Sequence, residues 1–293
     1  DKIPGGGKED SRALYDITGG SSNIALGYTA GENLTTGTRN VIIGHECGYN
    51  MNDNNYCTFI GTGAGRDVTT NHNTLIGFSS GIDNGDMLAG NTCVGSYTMA
   101  ASGDGACMEN TCLGYAAGYS IQAGDNNTLV GNAAGKEVTT GGNNTCIGQG
   151  AGRNSSPKYV TTDSNQVVIG DNNVSHAFIK VGWTTGSDER DKTDIQDISI
   201  GLDFVKQLKP KSFWFKTDRT SSPAVKTGDK KYGFLAQDIL SLEGSDNVVI
   251  DNDDTNSLKY IDSHLIPVLV NAIKDLSTKN DALEARIAAL EAG

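Results

Sequence analysis

The chain has 293 residues, more than one ordinary domain needs, so two or three units are expected. Its formal net charge of −12 argues against a nucleic-acid or anionic-membrane surface and suits a solvated acidic fibre. Thirty-eight glycines against five prolines, with few aromatics, are unusual for a packed globular core and point to a repetitive β architecture with many tight turns.

No apolar run reaches the roughly 18 residues that cross a bilayer. No signal peptide is visible, and a chain opening on Asp1 is expected to be a fragment or a processed product. The six cysteines, Cys47, Cys57, Cys93, Cys107, Cys112 and Cys146, form no Cys-x-x-Cys pair, and only four histidines are present. Neither a metal site nor a cofactor is expected from that set.

Residues 1–20, with Gly5, Gly6, Gly7, Gly19 and Gly20 among mixed charges, read as a lead-in. From 21 to 186 runs a repeat, Asn-x-apolar-apolar-Gly, with a second glycine four residues on. The first glycines are Gly27, Gly44, Gly61, Gly77, Gly95, Gly114, Gly131, Gly148 and Gly170. Met99 and Val174 replace the second glycine in the fifth and ninth units. A fixed period of this kind is the signature of a solenoid, a β-roll or β-helix. At about 4.8 Å per rung, the units make a rod roughly 40 Å long.

Aligned, the units form columns. Before each first glycine stands Leu26, Ile43, Ile60, Ile76, Val94, Leu113, Val130, Ile147 or Ile169, which reads as the stacked core of short strands. One residue earlier stands Ala25, Ile42, Phe59, Leu75, Cys93, Cys112, Leu129, Cys146 or Val168. Neighbouring strand positions face opposite ways, so both faces ask for burial, and another copy of the chain is the economical cover for the outer one. Cysteine in this column acts as a small hydrophobe. A third column holds Asn23, Asn40, Asn73, Asn91, Asn110, Asn127 and Asn144, with Cys57 as the exception. Two readings of it are open: a rung-by-rung side-chain ladder, or residues that merely suit a turn. Small residues after the glycine, such as Ala116-Ala117 and Ala133-Ala134, allow close backbone approach. The pair Asp83/Asp86 has the residue types of a glycoside-hydrolase dyad, but in a loop of variable length it reads as solvated charge.

This repeat resembles the β-roll heads of trimeric bacterial adhesins, although its units are longer. The resemblance implies a trimer.

At Ser187 the composition changes: Lys, Asp and aromatics rise and glycine falls. Ile195–Ile200 reads as extended, and Leu202–Leu208 as a helix stopped by Pro210. Ser212–Phe215 reads as a strand, and Tyr232–Ile239 as a strand running into a helix. Val248–Ile250 and Leu258–Tyr260 read as strands paired around the Asp251–Asn256 turn.

From Ile266 a heptad begins. Ile266, Ile273, Asn280 and Ile287 share one seam position, and Leu269, Leu276, Leu283 and Leu290 the other, so residues 265–293 read as a coiled coil. Ile and a buried Asn at one position with Leu at the other favour a dimer. The Arg286-Ile287-x-x-Leu290-Glu291 run resembles a trimerisation motif. Pro267 is placed in the first turn, where proline is tolerated.

Several landmarks of 187–276 together resemble the intramolecular chaperone domain of phage tailspikes and tail fibres, the S74 peptidase family. They are Ser187-Asp188-x-Arg190-x-Lys192, Leu208-Lys209-Pro210 with Phe213, Gly233-Phe234-Leu235-Ala236-Gln237, Tyr260, and Leu265-Ile266 through Ala272-Ile273-Lys274-Asp275-Leu276. Asp238 departs from the glutamate usual there. The resemblance implies a chaperone over 187–264 that drives trimerisation of a β-structured fibre and then cuts itself off between Gly186 and Ser187. Ser187 would be the nucleophile and Lys192 its base, with Asp188, Arg190 and Gln237 in support. A serine hydroxyl needs a base, and a lysine serves as one only when neutral, a state that burial promotes. A homotrimeric viral attachment fibre follows, assembled in the host cytoplasm, carried on the virion, and binding a host receptor of glycan or protein through its repeats. Two alternatives are a cell-surface adhesin with a non-cleaving cap and a glycan-degrading tailspike.

Overall fold

The computed structural model describes residues 12–82, 89–101, 105–154, 157–216, 222–244 and 247–292. The chain divides into two compact units, Asp1–His176 and Ala177–Gly293.

The first unit is a β-solenoid followed along one parallel sheet. Its nine strands pair in chain order: β1 (Ile24–Leu26), β2 (Val41–Ile43), β3 (Thr58–Ile60), β4 (Thr74–Ile76), β5 (Thr92–Val94), β6 (Thr111–Leu113), β7 (Thr128–Val130), β8 (Thr145–Ile147) and β9 (Val167–Ile169). The register is one-to-one throughout, so Cys93 lies over Cys112 and Cys112 over Leu129. The glycine after each strand is fixed by backbone geometry. Gly27, Gly44, Gly61, Gly77, Gly95, Gly114 and Gly131 all have φ between 130° and 140°, a region closed to L side chains. A Cβ on Gly114 would also stand 2.5 Å from the Gly131 carbonyl oxygen.

The inward column is the central strand residue, Ala25 through Val168, and not the pre-glycine residue expected to be core. The pre-glycine column faces outward, with Leu113, Ile147 and Ile169 each about half exposed. The reason is the pleat: in a three-residue strand only the middle side chain points to the inside, and the first and third share the outer face. Two more apolar columns close the core. One is small (Ala30, Cys47, Ala64, Ala117, Ala134, Ala151), the other bulkier (Leu34, Met51, Val68, Ile121, Val138, Val160).

The asparagine column is buried and forms the ladder. Each Oδ1 accepts the backbone N–H of the residue one rung on: Asn40 N to Asn23 (3.0 Å), Asn110 N to Asn91 (3.0 Å), Asn144 N to Asn127 (3.0 Å). Each Nδ2 donates across the coil to a carbonyl, as Asn23 does to Gly37 (2.7 Å). Where Cys57 interrupts the column, Asn54 supplies the donor, to Thr70 O at 2.7 Å.

The described part of the lead-in, residues 12–20, already belongs to the solenoid. Leu14 is buried and its N–H reaches Ala30 O (3.0 Å); Asp16 N and Thr18 N reach Glu32 O and Thr35 O. The pair Asp83/Asp86 lies outside the described residues.

The second unit holds helix α1 (Leu202–Val205), the antiparallel pair β10 (Lys211–Lys216) and β11 (Lys226–Gly233), and helix α2 (Ala236–Glu243). There follow the pair β12 (Ile250–Asp251) and β13 (Lys259–Tyr260), then helix α3 (Asp262–Glu291). Its core gathers Phe204, Ile239, Val249, Ile250, Leu265 and Val268. Residues 195–200, expected as extended, form no strand, and α1 is shorter than its apolar spacing suggests. Helix α3 starts at Asp262, so Pro267 falls in its second turn.

Candidate functional site

The segment that opens the second unit carries the candidate chemistry. Asp188 Oδ1 accepts the Arg190 N–H (2.9 Å) and caps a short 3-10 turn over Glu189–Asp191. The same carboxylate takes Arg190 Nε (3.0 Å) and Nη2 (2.6 Å). The guanidinium, helped by that backbone N–H, holds Asp188 below the usual carboxylate range. Asp188 and Arg190 therefore shape the turn.

The turn brings Lys192 back onto Ser187. Lys192 Nζ lies 2.8 Å from Ser187 Oγ and 2.9 Å from the Ser187 carbonyl oxygen. An amine and a hydroxyl at that distance are within range for direct proton transfer. The dyad lies on the surface: every residue from Ser175 to Ser199 is exposed. A Cβ on Gly186 would meet nothing within 4 Å, so the bond before Ser187 is sterically open. Gln237 is exposed on α2, and among the described residues it makes no hydrogen bond to the dyad.

Helix α3 spans the heptad residues. Ile266, Leu269, Ile273, Leu276, Leu283, Ile287 and Leu290 are all exposed, as are Arg286 and Glu291. The opposite face of its first half, Leu265, Val268 and Ala272, is buried in the unit's core.

Two anchoring devices were not anticipated from the sequence. Asp275 Oδ2 accepts the Leu202 N–H (3.0 Å), and Asn271 Nδ2 donates to Ile198 O and Ile200 O (3.0 and 3.1 Å), so α3 grips the stretch leading into α1. Gly201 permits this, because a Cβ there would stand 2.4 Å from Asp275 Oδ2. Glu243 accepts three consecutive N–H groups, Val248, Val249 and Ile250, at 2.9, 2.7 and 3.1 Å. The readable signal for the first was an Asn and an Asp four apart on the non-seam face of a heptad helix. The second had none.

Among the described residues no His, Cys, Asp or Glu group could hold a metal ion, and no helix is long and apolar enough to cross a membrane.

Residues 187–248 match the family model of Peptidase S74, described as the chaperone of endosialidase. The match begins on Ser187 itself. This domain, preceded by a β-solenoid, suggests a protein of the phage tail-fibre or tailspike type, where the family is found. No curated protein and no solved structure matches the chain.

Proposed function

We propose that this chain is a section of a trimeric viral attachment fibre whose C-terminal chaperone assembles it and then releases itself by cutting Gly186–Ser187. The observation that carries the reading is the Ser187–Lys192 contact at the first residues of the chaperone-family match. Lys192 takes the Ser187 hydroxyl proton as Oγ bonds to the Gly186 carbonyl carbon. The Gly186–Ser187 C–N bond then breaks, and the proton passes to the departing Ser187 nitrogen. Water hydrolyses the resulting ester, which leaves a Gly186 carboxylate and a free Ser187 amino terminus.

Two surfaces support the trimer. The outward pre-glycine column is aliphatic in all nine strands, with Leu26, Leu113, Ile147 and Ile169 exposed, beside a first-position column that is mostly threonine. A row of exposed aliphatic side chains marks a candidate interface. The α3 seam is a second such surface. A coiled coil holding three chains raises their local concentration, and it can set register before the rungs pair. Host attachment then falls to the solenoid, which stays with the particle.

The test is intact mass under denaturing conditions, with the native mass by sedimentation. Two fragments split at Gly186–Ser187, a Ser187→Ala chain left whole, and a native mass of three chains are expected. A single full-length species in the parent would remove the peptidase assignment. A monomer at micromolar concentration would remove the trimer.

A further inference from the structure

In a single chain the Ser187–Lys192 dyad is incomplete as a catalyst. A lysine takes a proton only when neutral, and surrounding water favours its ammonium form. Two things displace that balance, removal of water and a neighbouring positive charge. Water is not excluded from Lys192, because residues 175–199 are all exposed. The one cation beside it, Arg190, is paired with Asp188, and Glu189 and Asp191 add negative charge.

The β10–β11 ribbon carries both. Its two strands hold five lysines against one aspartate, in a chain whose net charge is −12. One face is a row in which aromatic rings and ammonium groups alternate. Lys226 Nζ sits 4.1 Å from the Trp214 ring centre, Lys230 Nζ 5.5 Å from the same ring, and Lys230 again 5.9 Å from Tyr232. Among the described residues neither lysine has a carboxylate partner. Tyr232 is 85 % exposed. Among the described residues, Lys226, Lys230 and Tyr232 are exposed, and so are Ser187 and Lys192.

The two surfaces are complementary. Residues 187–197 carry five carboxylates against one Arg and one Lys. We infer that the Trp214–Lys226–Lys230–Tyr232 face of one copy docks on the 187–197 segment of a neighbouring copy and completes its cleavage site. The carboxylates recruit the ribbon, the rings exclude water, and the incoming ammonium groups oppose a proton on Lys192. Such a contact joins two different surfaces, and around a three-fold axis it closes into a ring that serves all three sites. Cleavage would then wait for assembly. Trp214, Lys226, Lys230 and Tyr232 act here through Lys192 and are positioning residues.

The inference rests on the proposed self-cleavage, and the experiment separates the two. The full chain carrying Lys226→Glu and Lys230→Glu is compared with the parent and with Lys226→Arg plus Lys230→Arg. The Glu pair lacks the positive charge that favours a neutral lysine, so cleavage at least about tenfold slower is expected for it at unchanged native mass. The Arg pair should cut at the parental rate. Co-expression then decides between neighbour and self. A Glu-pair chain mixed with a Ser187→Ala chain that keeps its ribbon should regain cutting on the Glu-pair chain. Parental rates in the Glu pair, or no rescue in the mixture, would overturn the inference and leave self-cleavage standing. A parent that never cuts would end both. Loss of trimer in the Glu pair with normal cutting of the remaining single chains would also overturn it.

Discussion

Asn127 Nδ2 stands 3.0 Å from Oδ1 of Asn110, one rung away, and the Asn127 backbone N–H reaches the same oxygen at 2.9 Å. One side-chain amide thus ties two coils together twice. Asn127 repeats the arrangement upward, accepting the Asn144 N–H at 3.0 Å, and sideways, donating to Gly141 O at 3.0 Å. Asn127→Ala strips partners from Asn110 Oδ1, Gly141 O and the Asn144 N–H, all inside the solenoid. Leaving a buried polar group unpaired costs about 1–3 kcal/mol. Thermal unfolding of the solenoid should fall clearly for Asn127→Ala. It should barely move for Asn33→Ala, whose 3.0 Å bond to Asn50 is on the surface. Equal melting of both variants would show that the inner ladder contributes no more than surface amides.

Gly114 is the backbone counterpart of that ladder. Its φ is +130°, and a methyl group added to it would stand 2.5 Å from the Gly131 oxygen, which leaves no room for a side chain. Backbone strain alone costs about 1–3 kcal/mol, and the clash adds to it. Gly114→Ala should therefore lower the melting midpoint at least as much as Asn127→Ala, or prevent folding. Gly186→Ala, where a Cβ meets nothing within 4 Å, should leave the fold untouched. Circular dichroism on both variants decides, and a Gly114→Ala chain that melts with the parent would refute the steric account.

The solenoid was legible because its period puts one residue type at one place in every coil. Leu113 and Cys112 show where legibility ended. Both columns are apolar, and alternation says only that they face opposite ways; which is inside depends on the direction the chain turns at Gly114, a long-range property. Asn110 could be a turn residue or a ladder, and in fact Glu109 before it takes the turn, with φ of +57°, while Asn110 points in. In the second unit the order of landmarks placed Ser187 and Lys192 together. The grip of Asn271 and Asp275 on residues 198–202 spans more than 70 positions, so the two polar residues four apart on the helix do not tell which stretch they hold. Lys226, Lys230 and Trp214 meet only through the register of β10 on β11.

The cysteines should be chemically silent while the chain is folded. All six are free and buried. Burial pushes the thiols of Cys47 and Cys107 up to about 12 and that of Cys146 to about 11. At pH 8 a thiol near 12 is ionised in roughly one part in ten thousand, and only the thiolate reacts. Iodoacetamide should label none of the six in native protein and all six in denaturant, read by mass. Rapid native labelling of Cys47 or Cys107 would show that the solenoid opens there.

Glu243 is expected to hold the second unit together out of proportion to its place on the surface. Its carboxylate is the shared acceptor for Val248, Val249 and Ile250, and the last two line the core. Hydrogen bonds to a charged group are worth about 1.5–3 kcal/mol. Glu243→Ala should lower the stability of the second unit by about that much, while Glu243→Gln, which keeps one carbonyl acceptor, should lose less. Amide exchange at Val249 and Ile250 reports the difference directly. Unchanged protection in Glu243→Ala would mean that the neighbouring β12–β13 pairing suffices.

In the proposed trimer, helix α3 would separate assembly from folding. Its two apolar faces do different work: Leu265 and Val268 are buried in the second unit, while Ile273 and Leu276 remain more than half exposed. A charge on the first face would unfold the unit. A charge on the second meets only water in one chain, but in a bundle it is buried against its own copies, where like charges repel and lose solvation. Ile273→Asp should leave the circular dichroism of the second unit unchanged and reduce the native mass to that of a single chain. Val268→Asp should unfold the unit at any concentration. If Ile273→Asp chains still sediment as trimers, the seam is not what holds the copies together, and the outward strip of the solenoid, centred on Leu113 and Ile147, carries assembly by itself.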